Sequence, residues 1–588
     1  MVPDQALGNV LLYTANDKFY LELLDGVEGF VTIDRLTSEV RFGVDRSQIP
    51  VNLPRRNIFG VYGTFETFAG PCLVVVTEAT KIGKICGQSI LRIDATEIIP
   101  YARTNYHISQ RQAADDAALI SMVKNVLDTP HHYFSLNYDL THSMQRLAFI
   151  APEFRQMSMF ERADDRFVWN YKLIENFVRG DKEVAKYSLP VIHGFISIKV
   201  CSVGRNSFNW AVISRRSRYN AGTRFYTRGI NLDGHVANFV ETEQIVEYDG
   251  QKTAFVQTRG SIPLFWNQLP NLKYKPSVVI DSFKEHILAL TKHFEEQVLQ
   301  YGQQVLLNLV DQKGSEGRLA SHYKTLIQTY NNDLLRYEAF DFHHECRRMR
   351  WDRLSILIDR ISQDFENFGY LHLSSEGLVI RRQEGTFRTN CIDCLDRTNV
   401  VQSMLAHKNL EAVLERLGIL SEGSNLVNHK NFEYSFKNVW ADNADFISCQ
   451  YSGTGALKTD YTRTGKRTKF GALKDGYNSL LRYYKNNFAD GFRQDAIDFF
   501  HGHWTVDGGV PVLSTEVSGW KFYLPIFLLL SFGMWFSAIL LPDEYSTEVL
   551  LFMLFWAFAF MMCLKTILRY GNEFVNKPRL VDRHRWPK

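Results

Sequence analysis

No stretch of one charge sign dominates this chain. Its 67 Lys and Arg are nearly balanced by 64 Asp and Glu, for a formal net charge of +3. No global basic field points to nucleic acid, so an anionic ligand has to be recognised locally. Internal repeats and low-complexity tracts are also missing. Cysteine is sparse, with eight residues scattered without the dense spacing of a disulfide scaffold. The opening MVPDQALGNV lacks a charged segment followed by an apolar one. Both predict a reducing, cytosolic setting for the soluble part. Cys391-x2-Cys394 has no second CxxC and no paired histidines to complete a zinc site, so no metal and no cofactor are expected. His343 and His344, beside Cys346, diverge by about 100° on a helix and are read as structural.

What is present is a folded composition, 45% apolar and 22% charged, in a chain of 588 residues. That length predicts two or more domains. Two long hydrophobic runs lie near the C-terminus. Residues 522–541 hold twenty residues without a charge, and residues 549–568 contain a second apolar run interrupted only by Lys565 and Thr566. About 20 apolar residues cross a bilayer core, so a two-helix transmembrane hairpin is expected. The loop between them, 542–548, is acidic and lacks Lys and Arg, whereas Lys521 precedes the first run and a basic tail, 569–588, follows the second. The positive-inside rule puts both termini in the cytosol and the short loop in the lumen.

From Phe19 to Ile99, β-branched and aromatic residues between Gly and Pro read as short antiparallel strands, and Gln112–Thr129 has helical spacing. Residues 192–262 mix strand-like runs with arginine-rich loops, and helical patterns dominate from Ser282 onward. The Gly-rich stretch 504–521 is expected to tether a cytosolic head to the hairpin. Fully extended it reaches roughly 50 Å, which favours action on the chain's own bilayer.

The densest chemistry lies in FRTNCIDCLDRTNVVQS, Phe387–Ser403. Cys391 and Arg397 have the Cys-x5-Arg spacing of thiolate phosphatases, but Cys86–Arg92 and Cys563–Arg569 share it. Only the first has suitable surroundings: Leu378–Ile380 can end a strand, and a helical pattern follows Asn399. A loop opening a helix N-terminus aims the amides of Ile392, Cys394 and Leu395 at a phosphate and lowers the Cys391 pKa. Arg397 supplies a bidentate phosphate clamp, and Thr398 a hydroxyl for the leaving sulfur. Asp393 and Asp396 are both candidate acids for the leaving alcohol. Cys394 is near enough in sequence to trap oxidised Cys391 as a disulfide.

The run RTNCIDCLDRTN, Arg388–Asn399, resembles the signature of the Sac-domain phosphoinositide phosphatases. YDLTHSMQR (138–146), TRFYTRGINLDGHVANFVETEQ (223–244), QTRGSIPLFW (257–266), WADNAD (440–445) and QYSGTGALKTDYTRTGKRT (450–468) extend the resemblance over most of the chain. It implies an α/β fold with a β-rich N-terminal lobe (1–180) and an α/β catalytic lobe (181–503). It also implies hydrolysis of phosphatidylinositol 4-phosphate, with the 3-phosphate accepted, on endoplasmic reticulum and Golgi membranes. Membrane phosphoinositides, an anionic membrane surface and membrane-contact-site proteins are the implied partners. The loop departs from the wider thiol phosphatase pattern by having Asn390 in place of His and no glycine between Cys391 and Arg397. An unliganded loop is therefore expected to rest in a relaxed shape, since a non-glycine residue in a left-handed conformation costs about 1–2 kcal/mol. The Asp pair also resembles the myotubularin loop, which favours Asp396 over Asp393 as acid.

Lys458, Arg463, Lys466 and Arg467 make the segment 457–470 basic, suited to an anionic leaflet at about 1 kcal/mol per charge near the surface. Arg215, Arg216, Arg218, Arg224 and Arg228 form a second cluster, either a surface face or a headgroup site. Asp442 and Asp445 suit either basic loop residues or the inositol hydroxyls, with a structural role favoured. Two rival functions stay open, a protein phosphatase and a non-catalytic phosphoinositide-binding tether.

Overall fold

Strand-forming residues punctuated by glycine build the first hundred residues into sheet. The computed structural model describes residues 8–24, 29–282, 284–347, 350–421, 423–506, 520–542 and 544–581. Five short antiparallel strands pair in the order Val40–Gly43, Phe30–Asp34, Lys18–Leu23, Val10–Thr14, Arg55–Ile58. Alternate residues of these strands, among them Leu12, Phe19, Leu21, Val31 and Ile33, are buried in one cluster, as period-two side-chain alternation requires.

A 13-stranded sheet then runs through both expected lobes. His132–Phe134 pairs with Ile192–Val203 through Tyr133 and Ile192, so the sheet crosses the expected boundary at 180/181 without a break. The fold is mixed α/β, with long antiparallel strands on one side and a parallel part on the other. In the parallel part, Gln303–Asn308 pairs with both Leu335–Ala339 and Gly385–Asn390. The helix Gly314–Tyr330 makes the crossover, burying Leu319, Tyr323 and Ile327 against the sheet. The catalytic-loop candidate leaves the carboxyl end of Gly385–Asn390 and enters the helix Asp396–Arg416. This is where parallel strands generally present ligand sites. The strand expected at Leu378–Ile380 is a separate, exposed one, Val379–Arg381.

Two C-terminal helices, Trp520–Leu540 and Thr547–Arg569, are long and apolar enough to cross a membrane. They pack on each other through Phe527 with Trp556 and Phe532 with Phe560, while most of their large apolar side chains face outward. Of the expected tether, Trp504 and Val506 pack against the Phe499 and Phe500 cluster; 507–519 lie outside the described residues.

The expected basic tail does not stand apart from the head. Asn576 donates its backbone N–H to the Asn487 carbonyl at 2.7 Å and accepts from the Phe492 amide at 2.8 Å. Its carbonyl accepts from the Tyr226 hydroxyl. The amides of Arg579 and Leu580 both donate to Asp495. Residues 582–588 lie outside the described residues.

Candidate functional site

Arg388, Thr389 and Asn390 are polar yet fully buried, because their strand runs inside the sheet. The Asn390 side-chain amide donates to the Gly260 carbonyl at 2.7 Å, which fixes the strand end that delivers Cys391. A cavity of about 610 Å³ opens over that end. Cys391, Ile392, Asp393, Asp396 and Arg397 form part of its lining, as do Arg224, Lys273, Lys275, Arg347, Lys458 and Arg482. With Arg397, seven basic side chains face two carboxylates, so the cavity suits an anion.

Cys391 is buried at 3% exposure. Burial alone would push its thiol up, but the Cys394 thiol, the Arg397 charge and the Leu395 amide hydrogen bond more than offset this, so it titrates below an ordinary cysteine. The Cys394 amide donates to Cys391 Sγ at 2.9 Å. Cys394 itself is pushed far up, mainly by burial, and its thiol donates to the Gly260 carbonyl at 2.8 Å. The loop, lacking glycine, turns at Cys394 with φ of 52°. The left-handed residue is therefore Cys394 and not one of the aspartates.

The two aspartates differ sharply. Asp393 accepts two hydrogen bonds from Arg224, at 3.1 and 2.7 Å, and one from Arg228 at 2.6 Å. Although burial pushes its carboxyl up, these guanidiniums hold it well below the carboxylate range. Asp396 lies on the cavity wall, where burial raises its pKa; the Leu457 amide, at 3.1 Å, opposes only part of that. One carboxyl is locked in its charged form and the other is biased toward carrying a proton.

Arg397 lies on the cavity wall but is engaged elsewhere. It donates to Glu316 at 2.9 Å and to the Leu309 carbonyl at 3.1 Å, with Asp311 3.4 Å away. The Thr398 hydroxyl donates to the Leu395 carbonyl at 2.9 Å, so it caps the loop and does not serve the Cys391 sulfur. Behind the loop, the fully buried Arg259 guanidinium has no hydrogen-bond partner among the described residues. Burial lowers its pKa, and the neighbouring Cys394 and Cys391 sulfurs oppose that shift.

Comparison with known proteins decides the family. Residues 59–347 match the SacI homology domain. The chain is 46% identical over 579 residues to phosphatidylinositol-3-phosphatase SAC1-B of Danio rerio, covering 98% of each chain. It is 47% identical over 577 residues to phosphatidylinositol-3-phosphatase SAC1 of Drosophila melanogaster, covering 97% of this chain and 96% of that one. The Saccharomyces cerevisiae SAC1 protein of the same name is 36% identical over 533 residues. This chain belongs to the Sac-domain family.

In this Sac-domain protein the basic segment divides. Lys458 lines the cavity, whereas Arg463 turns to Asp442 at 2.7 Å and Asp445 at 3.3 Å. Arg467 bridges Asp460 and Asp475, and Lys466 is exposed. Leu395 and Cys394 lie beneath the cavity rather than on its lining. The arginine cluster divides as well. Arg215 is a core residue paired with Glu241 at 2.9 Å and Glu243 at 2.6 Å, and Arg216 is buried beside it. Arg218 faces Asp165. Only Arg224 and Arg228 reach the catalytic-loop candidate. His343 lines the cavity and pairs with Asp311 at 2.8 Å. No group of three or more metal-ligating side chains occurs among the described residues. Sequence reasoning missed Glu316, Lys273, Lys275, Arg347 and Arg482, which are distant in sequence from the motif and carry no local signature.

Proposed function

We propose that this chain is a membrane-anchored phosphoinositide phosphatase that hydrolyses phosphatidylinositol 4-phosphate, and also the 3-phosphate, to phosphatidylinositol. The observation that carries the reading is the placement of Cys391, Asp396 and Arg397 on one basic cavity, with the Cys391 thiol shifted down and the Asp396 carboxyl shifted up from their ordinary ranges. The names of the Danio and Drosophila relatives support a phosphoinositide substrate.

In the first step Cys391 Sγ attacks phosphorus in line as the P–O bond to inositol breaks, and Asp396 gives its proton to the leaving oxygen. The resulting phosphocysteine is hydrolysed by a water whose proton returns to Asp396. Phosphate leaves and the thiolate is restored. Asp393 does not exchange protons; it holds Arg224 and Arg228 in place beside the loop. Arg397 becomes a phosphate clamp by exchanging Glu316 for the ligand, so the unliganded loop is a resting form. The Ile392, Cys394 and Leu395 amides bind the phosphate once that exchange has occurred, and Lys458 attracts the headgroup. Arg463 and Arg467 shape the basic segment rather than touch the substrate. The chemistry requires no metal.

The apolar hairpin crosses the membrane with both termini cytosolic, in endoplasmic reticulum and Golgi membranes, and the head acts mainly on its own bilayer. The test is phosphate release by the full chain in phosphatidylcholine vesicles carrying either monophosphate, with chelator present. Release by the native chain and none by Cys391→Ser is expected. Equal release by both would remove Cys391 from the chemistry, and no release by either would leave a phosphoinositide-binding tether.

A further inference from the structure

The helix Lys469–Phe488 has two functional faces. Ser479, Arg482, Tyr483, Asn486 and Asn487 line the catalytic cavity. On another side Phe470, Leu473, Tyr477, Leu480, Tyr484 and Phe488 are exposed, at 77, 72, 65, 69, 57 and 43%. At 100° per residue these six fall within an arc of about 80°. Large side chains concentrated in this way form a contiguous apolar surface, which a soluble protein does not normally leave in water. Lys466, Lys469 and Lys474 are exposed at its N-terminal end.

The position of this helix identifies what covers the stripe. Gly571 lies two residues beyond Arg569, the last residue of the apolar hairpin, and a Cβ there would sit 2.1 Å from the Asn271 carbonyl oxygen. The Asn271–Leu272 turn thus touches the chain at Gly571, a point within about 7 Å of the hairpin's end. That turn holds the helix directly: Leu272 donates its amide to Asn487 at 3.2 Å, and the Tyr483 hydroxyl donates to the Leu272 carbonyl at 2.8 Å. Asn576 adds its own bond to Asn487. The helix therefore begins in a lysine-rich segment and ends where the hairpin leaves the bilayer.

We infer that the helix Lys469–Phe488 lies in the interface of the chain's own bilayer, with its six-residue apolar stripe inserted among the acyl chains. Its lysines meet the anionic lipid headgroups, the usual division of labour in an interfacial amphipathic helix. Because the cavity is lined by another face of the same helix, insertion brings the cavity mouth to the headgroup layer. A phosphoinositide then reaches Cys391 without withdrawing its acyl chains from the membrane. Insertion of the stripe is independent of the phosphatase reading; only its effect on turnover rests on it.

The experiment reconstitutes the full chain in vesicles of phosphatidylcholine and phosphatidylserine, with a fluorescent amino acid in place of Leu480. A second sample carries it in place of Leu299, which is 83% exposed on another helix. Lipids brominated on their acyl chains are expected to quench the probe at 480 and not at 299. No quenching at 480 overturns the inference, as does a probe shielded only by a second copy of the chain, seen as a concentration-dependent emission shift without bromine quenching. In parallel, Leu473→Glu with Leu480→Glu is expected to lower hydrolysis of phosphatidylinositol 4-phosphate in vesicles at least about tenfold. Hydrolysis of its water-soluble dibutanoyl analogue should change less than about twofold, since neither residue lines the cavity. Equal loss on both substrates, or loss on neither, overturns the inference. If the native chain hydrolyses neither, the phosphatase reading fails and the quenching result still decides insertion.

Discussion

Arg397 donates to Glu316 at 2.9 Å across 81 residues of sequence. The cation proposed to clamp phosphate is thus held by a carboxylate of this chain in the unliganded structure. Glu316→Gln keeps the shape and removes the charge, which weakens the competing bond. Hydrolysis of the dibutanoyl substrate is expected to rise up to about tenfold in kcat/KM, the factor that about 1.4 kcal/mol of population shift provides. An unchanged or lower value would mean that the pair supports the productive loop instead.

Opposite shifts at Cys391 and Asp396 predict a bell-shaped pH profile. The thiol must be deprotonated, so activity rises with pH through its lowered pKa. The acid must hold its proton, so activity falls as pH rises through the raised Asp396 pKa. Asp396→Asn is expected to reduce kcat by about 10²–10⁴-fold and abolish the alkaline limb. Asp393→Asn should leave that limb in place while weakening the loop, because its carboxylate has no proton to give.

Cys394 is expected to protect the thiolate as well as to shape the loop. Peroxide converts the Cys391 thiolate to a sulfenic acid; attack by the Cys394 sulfur then expels water and forms a disulfide. The Cys394 amide already sits 2.9 Å from Cys391 Sγ, so the two residues face each other across the turn. After mild peroxide, activity of the native chain should return with thiol reductant, whereas Cys394→Ser should lose it permanently. Mass spectrometry showing higher oxides at Cys391 and no linkage in the native chain would dismiss the idea.

The local features were legible in the sequence and the long-range ones were not. Two long apolar runs and twelve contiguous signature residues need no partner to be recognised. The strand that delivers Cys391 was misplaced because its buried residues are Arg388, Thr389 and Asn390, which hydrophobic patterning reads as a loop. Their buried side chains find acceptors some 130 residues away, Arg388 at the Ser261 carbonyl, Thr389 at the Thr258 carbonyl and Asn390 at the Gly260 carbonyl. The stripe from Phe470 to Phe488 did carry a readable three- and four-residue spacing, masked by the basic residues interleaved with it.

Arg215 separates folding from binding within one arginine cluster. Its guanidinium is fully buried between Glu241 and Glu243, so Arg215→Ala leaves two uncompensated carboxylates and should destabilise the fold by about 3–5 kcal/mol. Arg224→Ala, at a partly exposed site beside Asp393, should cost far less stability while reducing turnover. Thermal unfolding with parallel activity assays separates the two. A small loss at Arg215 would require another source of compensation for the paired glutamates.

Docking of the post-hairpin segment bears on which bilayer the enzyme serves. The Asn576 bonds to Asn487 and Phe492, and the Asp495 bonds to the Arg579 and Leu580 amides, join the head to the exit of the second apolar helix. A head held at both the 504–521 connection and this segment has less reach than a single tether of roughly 50 Å allows. Substrate in vesicles separate from those carrying the enzyme, with no tethering protein, should be hydrolysed at least about tenfold more slowly than substrate in the same vesicles. Asn576→Ala with Asp495→Ala removes the side-chain docking bonds, those accepted from the Phe492, Arg579 and Leu580 amides, and should narrow that difference while exposing residues 571–581 to protease. Equal rates on both vesicle populations by the native chain would show that the docked segment does not confine the head to its own membrane.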